Sequence, residues 1–163
     1  MNCKVFNDNR GSFNQVVQFL GGFTIAQVNH SYSYEGVWRG LHQQLSPRSQ
    51  EKWVYVVSGA IIDFAVSLRE PDFGEVTVEF LEEHSLVKIP NFCAHGFFAR
   101  KTSHVIYFTD VLFSPPHEIS ITPFSVPKID EILRETGIKL SEAIMSDKDK
   151  FAMTLARYKE KYL

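Results

Sequence analysis

From residue 23 to residue 110 the chain runs as short apolar-rich segments broken by turn residues, the pattern of an all-β sandwich or barrel. The clearest pair is a strand at 53–57, a turn at Ser58-Gly59 and a return strand at 60–68. In the return strand Ile62, Phe64, Val66 and Leu68 share one face, and Ile61, Asp63, Ala65 and Ser67 share the other, as the two-residue period of a strand requires. The second face is small and partly polar, suited to lining a solvated cavity inside a barrel. After Pro127 the period changes. Residues 129–136 read as a helix that Gly137 stops. Residues 147–162 read as a second helix, with Phe151, Leu155, Tyr158 and Tyr162 on one face. The expected architecture is mainly β: one domain over 1–163, with a barrel or sandwich over 1–127 and two short C-terminal helices, 128–163, packed on it.

Length and composition narrow this picture. A chain of 163 residues suits a single sizeable core, and its 14 Phe favour a core built on sheets. The formal net charge of −2 argues against a general nucleic-acid binder, so an anionic ligand must be held by local Arg and Lys. Two cysteines, Cys3 and Cys93, do not make a disulfide framework. Residues 1–10 lack the apolar stretch of a signal peptide, and no run is long and apolar enough to cross a membrane. No membrane partner and a cytoplasmic setting are therefore expected. There is no internal repeat and no Ser/Pro-rich linker.

The most informative stretch is Val37-Trp38-Arg39-Gly40-Leu41-His42-Gln43-Gln44. In a regular strand Arg39 and Leu41 face one way and Gly40 and His42 the other; a bulge near Gly40 changes that assignment. Lys52 follows at the start of the hairpin, His95 lies between small residues in Cys93-Ala94-His95-Gly96, and Tyr107 falls in the segment 104–110. Two imidazoles, a lysine and a phenol on barrel strands suit proton transfer beside a carbonyl: a base removes the proton, a cation stabilises the enolate oxygen, and a phenol returns a proton. Each also has an ordinary reading, His as a hydrogen-bonded strand residue, Lys52 as a solvated surface lysine and Tyr107 as core. Metal is the rival chemistry. No His-x-His pair follows His42, and Cys93-x-His95 has no matching pair to complete a tetrahedral set, so no metal site is expected.

In order along the chain these segments resemble the dTDP-4-dehydrorhamnose 3,5-epimerase family. The resemblance begins at Asp8-Asn9-Arg10-Gly11-Ser12-Phe13 and Gln27-Val28-Asn29-His30-Ser31. It continues through Arg39-Gly40-Leu41-His42-Gln43-Gln44, Lys52, the hairpin ending Asp63 to Arg69, Phe73-Gly74 and Ile89-Pro90. Ala94-His95-Gly96-Phe97, Tyr107, Ser114-Pro115 and Ser146-Asp147-Lys148-Asp149 complete it. It implies a cupin-type jelly-roll barrel, a homodimer with no metal or organic cofactor, and a nucleotide-linked 4-keto sugar as substrate. By the same resemblance His42 is the base, Asp149 its carboxylate partner, Tyr107 the acid on the opposite face of the sugar, and Lys52 the enolate-stabilising cation. His95 lies beside the sugar, Arg39 matches a diphosphate-binding arginine, and Arg10, Phe13, Gln27 and Asn29 match positions that hold the nucleotide. Gln15, Gln44 and Glu118 complete the expected substrate-binding set. Asp149 has a second reading, because Ser146-x-x-Asp149 is a helix-start pattern close to a capping box.

The departures fall around the base and sugar. An aromatic pair common before Ser-Pro is Leu112-Phe113 here, an acidic position is Gln15, and the segment after Glu118 reads Thr122-Pro123-Phe124-Ser125-Val126-Pro127. They point to a nucleotide other than dTDP, such as GDP or CDP, or to a sugar other than the rhamnose precursor. The leading function is an epimerase acting at C3, or at C3 and C5. The alternatives are a 3,4-ketoisomerase in a similar barrel and a sugar-nucleotide-binding module without catalysis. Joint retention of His42, Lys52, Tyr107 and Asp149 argues against simple binding, which needs no acid–base set.

Overall fold

The computed structural model describes residues 4–16 and 22–163. A hairpin of β1 (Lys4–Asp8) and β2 (Gly11–Gln15) precedes the barrel. The barrel strands are β3 (Gln27–Ser33), β4 (Trp38–Gln44), β5 (Lys52–Ser58), β6 (Ala60–Ser67), β7 (Val76–Glu82), β8 (Leu86–Ile89), β9 (Cys93–Ala99), β10 (Ser103–Thr109) and β11 (Glu118–Ser120). They form two antiparallel sheets, one in the order β3-β10-β5-β8 and the other in the order β11-β4-β9-β6-β7, the jelly-roll arrangement. The predicted hairpin at 53–68 is β5 and β6, and its strands part into opposite sheets.

Two apolar clusters explain why all eight residues of β6 are buried. Val54, Val56 and Val105 of one sheet pack between the layers against Ile61, Ala65, Phe97 and Ala99 of the other. On the outer side of the five-stranded sheet, Ile62, Phe64, Val66 and Leu68 join Trp38, Leu41 and Phe98 beneath the C-terminal segment. That segment contributes Ile129, Ile132, Leu133, Leu140 and Tyr158. The smaller face of β6 turns into the barrel, where Asp63, Ala65 and Ser67 line a cavity as the alternation implies.

The first C-terminal helix, α1 (Pro127–Glu135), ends as expected at Gly137. Gly137 adopts φ +79°, its N–H bonds the Arg134 carbonyl and the Ile138 N–H bonds the Leu133 carbonyl, a Schellman closure. The single helix expected at 147–162 is two helices, α2 (Asp147–Lys150) and α3 (Leu155–Tyr162). Between them Met153 pairs with Ile121 at the end of the sheet, and the Thr122 hydroxyl donates to the Lys150 carbonyl. These bonds take backbone groups that a continuous helix would need. Thr154 then caps α3 by accepting from the Arg157 N–H. Phe151 therefore leaves the apolar stripe and is 75% exposed, whereas Tyr158 is buried. Cys93 is buried with a free thiol; Cys3 lies outside the described residues. Among the described residues no helix is long and apolar enough to cross a membrane.

The feature that sets up the site lies where β4 crosses β9. Arg39 pairs with Phe97 and His42 with His95, so three steps along β4 match two along β9, a bulge. Gly40 sits in it at φ +100°, and a Cβ there would lie 2.5 Å from the His95 carbonyl oxygen. A Cβ on the facing Gly96 would lie 2.6 Å from the Arg39 carbonyl oxygen. Both contacts are backbone, which cannot swing aside. Gly96→Ala should therefore cost about 1–3 kcal/mol, the usual penalty for overpacking, and should lower activity, because the same shift moves His42 relative to His95. Thermal denaturation checks this; an unchanged Tm would show that the two strands separate freely here.

Candidate active site

The bulge decides which side chains reach the cavity. Regular alternation sets Arg39 and His42 on opposite faces. With one extra residue in β4, Trp38 and Leu41 enter the core and Arg39 and His42 both turn to the interior. They line a cavity of ≈ 270 Å³ with Lys52, His95, Tyr107, Lys148 and Asp149. A second cavity of ≈ 260 Å³ shares His42, Lys52 and Tyr107 with it and is otherwise lined by Gln27, Asn29, Gln44, Phe113, Glu118 and their neighbours. Joined through the three shared residues, the two lobes reach the size range of small-molecule sites.

His42 Nε2 lies 2.7 Å from Asp149 Oδ1. Burial alone pushes the Asp149 carboxyl up, but the His42 hydrogen bond and charge, the Gly40 N–H and the Ser146 contact outweigh burial and hold it below the usual carboxylate range. The ionised carboxylate accepts, so Nε2 carries the hydrogen and Nδ1 is left with the basic lone pair. The helix-start reading of Asp149 holds as well: its N–H donates to the Ser146 hydroxyl oxygen at 3.2 Å, the cap of α2. The same residue thus starts the helix and orients the imidazole.

Lys52 is not a surface lysine. It is buried at the start of β5, with Nζ 3.4 Å from the His42 carbonyl oxygen. Burial pulls its pKa down to about 8, against the pull of the Glu118 and Asp63 carboxylates. Tyr107 stands on β10, in the sheet opposite His42, and burial raises its phenol, with Arg39 opposing; its hydroxyl stays protonated at neutral pH. His95 Nε2 lies 2.7 Å from Asp63 Oδ1, a second imidazole–carboxylate pair. Arg39 is tethered by bonds from Nε to the Ser33 hydroxyl and from an Nη to the Tyr32 carbonyl.

In the second lobe Gln27 donates to Asn29 and accepts from the Phe113 N–H, and Gln44 accepts from the Ser114 N–H. Phe113, not Leu112, lines this lobe, so an aromatic face is present despite the change in the pair. The hairpin residues are elsewhere. Arg10 bonds Asp8, its side chain 86% exposed, and lines with Phe13 a separate shallow depression; Gln15, at the end of β2, lines neither lobe. Sequence reasoning missed Asp63, Ser146, Lys148 and Phe113 as parts of the site. The first had a signal, a carboxylate on the inward face of β6; the others reach the cavity only through loop and helix placement. Among the described residues no three His, Cys, Asp or Glu side chains converge as metal ligands. Burial pushes the Cys93 thiol up to about 11, which keeps it protonated at neutral pH.

A jelly-roll barrel whose cavity carries an oriented imidazole on one wall and a phenol and a buried lysine on the other holds the side chains that an acid–base isomerase working beside a carbonyl would use. The comparisons specify which. The family model described as dTDP-4-dehydrorhamnose 3,5-epimerase matches residues 1–157. The enzyme of that name from Shigella flexneri is 40% identical over 130 residues, 72% of this chain and 72% of its own length. The crystal structure of the Sulfolobus tokodaii dTDP-4-dehydrorhamnose 3,5-epimerase superposes with a TM-score of 0.79 at 35% identity, covering 96% of this chain and 89% of the other. ChmJ, a 3'-monoepimerase from Streptomyces bikiniensis solved with dTDP-quinovose, superposes with a TM-score of 0.84 at 25% identity, covering 98% of this chain and 84% of its own. The chain belongs to the dTDP-4-dehydrorhamnose 3,5-epimerase family. It is an isomerase, an epimerase of nucleotide-linked 4-keto-6-deoxy sugars.

Lys52 gives the site a pH dependence with a definite sign. An ammonium can stabilise an enolate oxygen only while protonated, so if Lys52 has that role kcat/KM on a 4-keto sugar nucleotide should fall as pH rises through about 8. Lys52→Arg, which stays charged, should remove that alkaline limb even where it lowers the plateau. An alkaline limb unchanged in Lys52→Arg would assign it to another group.

Proposed function

We propose that this chain inverts C3, or C3 and C5, of a dTDP-linked 4-keto-6-deoxy sugar by removing a proton from one face and returning one to the other. The observation that carries the reading is the placement of His42 and Tyr107 on opposing sheets while both line the same two lobes. His42 Nδ1 takes the proton next to the 4-keto group, and Asp149 holds the ring and balances the imidazolium. Lys52 stabilises the enolate oxygen, Tyr107 delivers the new proton, and His95 orients the sugar. Arg39 meets the diphosphate. Gln27, Asn29, Gln44 and the Phe113 face receive the nucleoside, and the dTDP-quinovose bound by ChmJ supports thymidine over the GDP or CDP forms that Leu112 and Gln15 suggested.

NMR in heavy water tests this directly. With a dTDP-linked 4-keto-6-deoxy sugar, deuterium should enter C3 or C5 of inverted product, and GDP and CDP analogues should react more slowly. His42→Asn should lower exchange by at least about 10²-fold, the lower end for a positioned general base. Tyr107→Phe should keep exchange on the His42 face while inversion falls. Migration of the carbonyl from C4 to C3, or exchange at the wild-type rate in folded His42→Asn, would overturn the reading.

We take residues 1–163 as one domain, supported by the core that joins Trp38 and Phe64 to Leu133 and Tyr158, and we propose that it works as a homodimer in the cytoplasm. The hairpin supports pairing: Arg10 and Phe13 match nucleotide-holding positions yet stand outside their own cavity, with Phe13 66% exposed. A second copy would bring its hairpin to the nucleoside lobe. Sedimentation should give a dimer, and Arg10→Ala should raise KM with little change in kcat. A monomer with full activity would refute the pairing.

A further inference from the structure

We propose that Glu118 takes from His42 the proton that His42 removes from the sugar, readying the imidazole for the next abstraction. The inference rests on the reading of His42 as the base. Its ring lies between two carboxylates, with Nε2 2.7 Å from Asp149 Oδ1 and Nδ1 3.6 Å from Glu118 Oε1. The first distance is a hydrogen bond and the second is not. While Nδ1 carries no hydrogen, closer approach of a carboxylate oxygen gains nothing. Once Nδ1 holds a proton, the contact becomes a charge-assisted N–H···O bond, which typically closes to about 2.7–2.9 Å.

The surrounding structure makes that closure short. β11 pairs with β4 so that Ser120 lies opposite His42 and Glu118 opposite Gln44. The other Glu118 oxygen accepts from Lys148 Nζ at 2.6 Å. Lys148 immediately precedes Asp149 on α2, so one short helix holds both carboxylates against the two ring nitrogens. The Glu118 side chain is 17% exposed and that of Lys148 55%, so the groups run from the cavity to solvent.

The proton balance explains why such a group is needed. The sugar C–H bond breaks, its electron pair enters the enolate, and an N–H bond forms at Nδ1. Inversion then draws a different proton from Tyr107, whose phenolate takes one back from water, so the first proton stays on His42. The N–H bond next breaks as an O–H bond forms at Glu118, which releases the proton to water at the cavity mouth. Nδ1 is again basic without waiting for the product to leave.

Rapid-quench kinetics of Glu118→Gln with a dTDP-linked 4-keto-6-deoxy sugar tests this. Measured at about pH 6.5, below the Lys52 limb that losing the Glu118 charge would lower further, the ratio of later-turnover rate to first-inversion rate should fall by about tenfold or more, on the scale of a lost proton-transfer partner. Added acetate should accelerate only the slow phase, and Glu118→Asp should restore it in part. A merely structural role slows the first and later turnovers together and gives no acetate response; either result would sink the proposal. His42→Asn separates it from the reading beneath. Loss of both phases there keeps His42 as the base whatever Glu118 does, and retention of both removes His42 itself.

Discussion

The site depends on one steric constraint, the contact of two bare backbones at Gly40 and Gly96. Paired strands normally hold their facing Cα atoms about 4.5–5.5 Å apart through the backbone hydrogen-bond ladder, with room for a Cβ on each residue pointing out of the sheet. Here β4 carries one extra residue and presses its backbone onto β9, with no room for a Cβ on either glycine. The extra residue re-phases the strand. Trp38 and Leu41 go to the core, Arg39 and His42 go to the cavity, and His42 comes to stand directly across from His95. The displaced backbone is bonded on both sides: the Gly40 N–H reaches Asp149, and its carbonyl accepts from the Trp38 indole at 2.6 Å. Asp149, which bonds the His42 ring, is thus also bonded to the backbone of the bulge two residues before His42.

The electrostatics follow from that placement. Lys52, Glu118, Asp63, Asp149 and the two histidines share a partly desolvated interior, where an unpaired charge is expensive. Each carboxylate has a cationic or imidazole partner, and the one ammonium carries its burial as a depressed pKa. A partly desolvated ammonium interacts more strongly with an anion than a fully hydrated one, because fewer waters compete for it. The phenol on the far wall is kept neutral by the same burial. Burial within the one cavity therefore shifts both groups, lowering the lysine and raising the phenol.

The C-terminal segment completes the site. Its apolar residues cover the outer face of the five-stranded sheet, and this packing brings α2 to the cavity mouth with Asp149 and Lys148. A helix of four residues is too short to hold itself together in water. It persists through the Ser146 cap, the Thr122 bond to the Lys150 carbonyl, and its bonds to His42 and Glu118.

Much of this was legible along the chain. The two-residue period of 60–68 assigned the faces of β6 correctly, because a strand covered on both sides still sorts large apolar groups from small and polar ones. Gly137 announced the end of α1 because few other residues accept its φ. The order of the motifs from Asp8 to Asp149 pointed to the epimerase family, and it named His42, Lys52, Tyr107 and Asp149, which the fold gathers around one cavity. What the chain could not show depended on contacts between distant residues. The register slip at Gly40 is a property of two strands, so Arg39 appeared to oppose His42. The break at 151–154 comes from Met153 pairing with Ile121, and the apolar spacing of 147–162 was blind to it. Lys52 reads as a surface lysine until the neighbouring strands exclude water from it. Local pattern records what each residue prefers for itself, whereas a cavity, a bulge and a shifted pKa exist only once remote segments compete for the same space and the same protons.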